Sequence, residues 1–62
     1  MDNEEKGRVY DECIRESDAL QRVNSKIKSE FVGNIPPDQQ LIIDENNRKI
    51  AKLVKQVESL FL

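Results

Sequence analysis

In the second half of the chain, Ile43, Ile50 and Val57 recur every seven residues, and Leu53 and Leu60 follow Ile50 and Val57 by three. Asn46 takes the same place after Ile43. In heptad notation this is a seam with β-branched residues at a and leucine at d, interrupted by one polar d position. Such a seam is a helix face that another helix must cover. The first half carries the same pattern less cleanly. Cys13, Leu20 and Ile27 occupy d, while Tyr10, Ser17, Asn24 and Phe31 occupy a, and Val9, Ile14 and Val23 widen the stripe. Ser17 and Asn24 make this the weaker of the two seams.

The punctuation between the stripes places the helix ends. Asp2 followed by Glu5 has the spacing of a capping box. Gly7 weakens the turn that would follow, so firm helix is expected from about Arg8 to Val32. Gly33 suits a left-handed C′ position. Residues 33–37 form the break, because Pro36 and Pro37 each force the preceding residue to be extended. Proline is also comfortable in a first helical turn, so the second helix is expected over about 38–61. A break this short favours antiparallel neighbours. The pattern therefore predicts an all-α fold over residues 1–62, a two-helix antiparallel hairpin with coiled-coil-like heptads.

Charge agrees with that register. Glu4–Arg8, Asp11–Arg15 and Asp18–Arg22 are acid-before-base pairs at i,i+4, repeated at heptad spacing on the side away from the stripe. Asp44–Arg48 and Glu45–Lys49 do the same in the second half. Asp38, Asp44 and Glu45 come early in that helix and Arg48, Lys49, Lys52 and Lys55 later, the order that suits its macrodipole.

Composition then narrows what the hairpin can be. At 62 residues the chain can bury only a modest fraction of its surface. Cys13 is its one cysteine and it has no histidine, so neither a disulfide nor a zinc site is expected to staple it. No cofactor is implied. Oligomerisation remains. Ile42 at g and Val54 and Phe61 at e make the apolar face wider than a two-helix seam uses. The expected assembly is a helical bundle, built either as a homodimer of hairpins or with helices of other proteins. Leu20, Ile27, Ile43, Ile50, Leu53, Val57 and Leu60 are the candidate partner-binding residues. Asn46 is a candidate register residue, since a buried asparagine penalises wrong alignments. An edge position in contact with water is the competing reading for Asn46 and the preferred one for Asn24.

Other chemistries find less in the sequence. Without histidine the usual general base near neutral pH is missing. Cys13 at a d position reads as a small core residue, not a nucleophile. Both charge signs are interspersed among 35% charged residues, with a net charge of −2, which describes a solvated helical surface. The alternative function is a nucleic-acid-binding hairpin dimer in which Arg48, Lys52 and Lys55 on one side of helix two contact phosphates. No apolar run reaches membrane-spanning length. The acidic, polar start does not resemble a targeting peptide, and a lone thiol suits the cytoplasm or nucleus. Leu60, Phe61 and Leu62 end the sequence on an apolar cluster, expected to fray, which either docks on a partner or leads into further chain.

One family likeness accompanies these patterns. Leu20-Gln21-Arg22-Val23-Asn24, then Leu41-Ile42 and Asn46, then Ile50-Ala51-Lys52-Leu53-Val54 resemble the early-flowering family of small plant clock regulators. That family carries Val-Asn near the middle of its first helix and a Leu-Ile…Asn…Ile-x-Lys-x-Val run in its second. The likeness spans most of residues 9–60, with a one-residue gap near Asn47 and with Pro36-Pro37 departing from the family pattern. It implies a nuclear adaptor that acts by binding other proteins.

Overall fold

The computed structural model describes residues 2–62 and contains two helices, α1 (Asn3–Glu30) and α2 (Pro37–Leu60), packed against each other along their length. The chain is an all-α helical hairpin. Its extents are 46 × 15 × 13 Å, close to the length of the longer helix.

Helix α1 begins at Asn3, five residues before the expected start at Arg8. The cap explains the difference. Asp2 is extended (φ −81°, ψ 173°), and its carboxylate accepts the Glu5 backbone N–H at 2.8 Å. Glu4 and Glu5 add negative charge in the first turn. Together these contribute about 1–2 kcal/mol, enough to offset the roughly 1 kcal/mol that Gly7 costs in a helix interior.

The far end of α1 also differs from expectation. The helix stops at Glu30, with Phe31 as C-cap donating its N–H to Ile27 at 3.0 Å. Asn34 then donates to the Phe31 carbonyl at 3.3 Å, closing a four-residue turn. Gly33, at φ +86°, is the third residue of that turn, where a type II geometry requires positive φ. It therefore serves the turn beyond the cap, not the C′ position. Pro36 (φ −58°, ψ 149°) holds the chain extended, and Pro37 opens α2 at N1, where its missing N–H costs nothing. Leu60, expected to fray, is helical and buried.

Apart from Val9 and Asp44, every residue of α1 and α2 that is not exposed falls on a or d of the two heptad stripes. Cys13 and Ile27 of α1 and Ile43 and Leu60 of α2 are buried. Leu20, Ile50, Leu53 and Val57 are half-buried. No helix among the described residues is long and apolar enough to cross a membrane.

Candidate interaction surface

The heptads put the a and d side chains of the two helices face to face, so both seams are used first within the hairpin. Of the seven candidate partner-binding residues, Ile27, Ile43 and Leu60 have almost no surface left. Leu20, Ile50, Leu53 and Val57 keep part of theirs. Free apolar area has moved to the flanks. Ile14, Val54 and Phe61, all at e positions, are exposed, as is Tyr10 at an a position near the open end.

In an antiparallel pair the e positions of both helices border the same side of the seam. That side carries an apolar cleft of about 130 Å³ lined by Cys13, Ile14, Leu53, Val54 and Val57, together with Ser17 and Glu58. Next to it, at the open end, the Tyr10 and Phe61 rings meet edge to face, with centroids 6.1 Å apart and planes at 78°. This geometry suits the aromatic quadrupole. It pins the last residue before the chain end to the first full turn of α1's stripe. Leu62 beyond it is fully exposed.

Among the described residues the buried polar side chains of the seam form one layer. Asn24 and Asn46 are 6% and 7% exposed. The Asn46 Nδ2 donates to Asn24 Oδ1 at 3.0 Å, and the Asn24 Nδ2 donates to Asn47 Oδ1 at 3.1 Å. Among the described residues no buried side-chain nitrogen or oxygen lacks a partner. The expectation that Asn24 sits in water is corrected. Its amide is sandwiched between helices and bonded at both ends, because i and j there fall in the same layer of the antiparallel pair. Asn47 enters this network from an e position, which nothing in the a/d pattern marks.

The basic residues of α2 stand elsewhere. Arg48, Lys52 and Lys55 are exposed on its outer side. Lys49 and Lys52 border a second cleft with Glu16 and Leu20 of α1, so acidic charge sits close to the basic face. Of the five expected i,i+4 pairs only Asp18–Arg22 forms among the described residues, at 3.0 Å. Asp44 instead accepts from Gln40 Nε2 at 3.0 Å. Exposed ion pairs contribute so little that solvent competes with them on equal terms. Cys13 is a buried free thiol inside the seam. Among the described residues no cluster of three or more potential metal ligands occurs. No protein-family model, curated protein or solved structure matches the chain.

Proposed function

We propose that this chain is a non-enzymatic protein–protein interaction module, a small scaffold or adaptor of the cytoplasm or nucleus that assembles into a helical bundle with itself or with other helices. One observation carries the reading. The hairpin exposes 5009 Å², whereas a compact folded chain of 7.2 kDa exposes about 4,100 Å². Its radius of gyration, 14.4 Å, likewise exceeds the roughly 10.6 Å of a compact domain of 62 residues. With four buried apolar side chains among the described residues and apolar flanks left bare, the hairpin gains stability when a flank is covered.

The nuclear adaptor implied by the early-flowering likeness falls in the same functional class. So do the missing histidine and the burial of Cys13, which leave little for catalysis to use.

Circular dichroism of the purified chain over a dilution series tests the module. Helicity that falls on dilution, or that is low throughout and needs an added partner, supports it. A solitary chain that stays helical and melts sharply at nanomolar concentration overturns it. The nucleic-acid reading keeps one supporting observation, the exposure of Arg48, Lys52 and Lys55 free of ion pairs among the described residues.

A further inference from the structure

We infer that the e flank of the hairpin takes a basic amphipathic helix of another protein, apolar where it meets the Cys13–Val57 cleft and cationic along both edges. The inference rests on the interaction-module reading and names the partner's chemistry. Charge carries it. Next to the seam on this flank stand Ile14, Val54 and Phe61, exposed and uncharged. The b positions that border them hold Asp11 and Asp18 on α1 and Asp44 and Glu58 on α2. Asp11, Asp18 and Glu58 are exposed, and Glu58 also lines the cleft. Lys28, close to the turn, is the one base at an e or b position. Arg8, Arg15, Arg22 and Lys55 lie one row further out, at f. Arg22 reaches Asp18 at 3.0 Å, but those side chains are 81% and 56% exposed, so an incoming cation competes with that pair on equal terms. The flank is therefore an apolar floor between two acidic edges. The g flank differs. Beside its exposed Val23 and Ile42 runs a cleft lined by Glu16, Lys49 and Lys52, where both signs meet and charge selects no partner. A second copy is a poor occupant of the e flank. A two-fold axis sets a face against itself, so acidic edge would meet acidic edge. A helix with uncharged edges would fill the cleft, yet it would strip water from the carboxylates and return nothing to them. Lysine or arginine on both edges answers the charge and the cleft together.

Two synthetic helical peptides of about 18 residues, long enough at 1.5 Å per residue to cover the cleft, test this on the full chain. Both carry the same leucine face and one tryptophan; one has lysine along its edges, the other glutamate. The chain contains no tryptophan, so peptide fluorescence reports binding alone. The lysine peptide is expected to bind about tenfold or more tighter at low salt. It should shift the backbone amide signals of Ile14, Ser17 and Val54 and leave those of Val23 and Ile42 in place. Asp11→Lys with Glu58→Lys should abolish or invert the preference. Glu12→Lys with Glu45→Lys, the same change of net charge on the g flank, should retain it. Should the Asp11, Glu58 variant unfold, as circular dichroism would reveal, the wild-type amide shifts decide without any substitution. Equal binding of the two peptides overturns the inference. So do a preference that survives the Asp11 and Glu58 reversal in a folded variant, and shifts centred on Val23 and Ile42. A wild-type dimer that Val54→Glu dissociates puts a second copy on this flank and overturns it as well. All of these leave the module reading standing. Binding of neither peptide also refutes the basic helix, and the module reading falls with it only if the solitary chain stays helical and melts sharply at nanomolar concentration.

Discussion

At the scale of single residues, the asparagine layer and the two glycines show how local chemistry is decided by its surroundings. Asn46→Ala removes the amide that satisfies the Asn24 Oδ1 and leaves that oxygen buried, so a loss of about 1–3 kcal/mol is expected in urea denaturation. Replacing both Asn24 and Asn46 by leucine should recover most of that loss, because no buried polar atom is then stranded. The same pair of changes removes the layer that opposes a shifted alignment, so the double variant should show heterogeneous amide spectra where the wild type shows one set. The glycines separate two effects of one residue type. Gly7 lies in α1 with nothing within 4 Å of a Cβ placed there, so Gly7→Ala should raise stability by about 0.5–1 kcal/mol. Gly33 is equally open, yet its φ of +86° makes Gly33→Ala unfavourable by about 1–2 kcal/mol. Opposite shifts in the thermal midpoint would separate backbone freedom from packing; equal shifts would contradict the turn geometry.

At the scale of the helices, stripe, register and break were legible because they depend on periodicity and on Gly and Pro, which act locally. Ile43, Ile50, Leu53, Val57 and Leu60 point inward in the heptad order that their spacing implies, and α2 starts within one residue of the expected place. The N-terminus of α1 lies five residues before the expected start because the Asp2–Glu5 cap, whose spacing the sequence shows, outweighs the cost of Gly7. The cap's contribution depends on whether Asp2 is extended, and spacing alone does not carry that. The interaction surface was legible only in part. A heptad stripe states that a face will be covered, not by which helix, and here the hairpin covers its own a and d positions first. What remains for a partner lies beside the seam, at e (Ile14, Val54, Phe61) and at g (Val23, Ile42), visible in the sequence only as excess width. Leu53 tests how the two layers are coupled, since it lies on the seam and also lines the cleft. Leu53→Asp should lower helicity and dissociate the assembly together, as an unpaired carboxylate enters both contacts. Unchanged mass with an unchanged melting curve would refute its double role.

At the scale of the whole molecule, the distribution of surface chemistry decides between the two functional readings. The apolar flank and the basic residues of α2 lie on different sides of a rod 46 Å long, so each can be altered without touching the other. Phosphate binding by the basic side has a specific physical signature. Each neutralised phosphate releases a counterion, and affinity falls linearly in log–log form with salt. Three or four exposed cations, set against a net charge of −2 and with Glu16 beside Lys49 and Lys52, form a weak field for that purpose. The charge-reversed variant Arg48→Glu, Lys52→Glu, Lys55→Glu sets like charges three and four residues apart along α2, so it is expected to lose about 1–2 kcal/mol of stability while remaining a helical hairpin. Neither protein should retard a panel of single- and double-stranded nucleic acids at low salt. If the wild type does bind, with a steep salt slope that the reversed variant lacks, the basic side is the working surface and the apolar flank serves only to build the dimer that presents it.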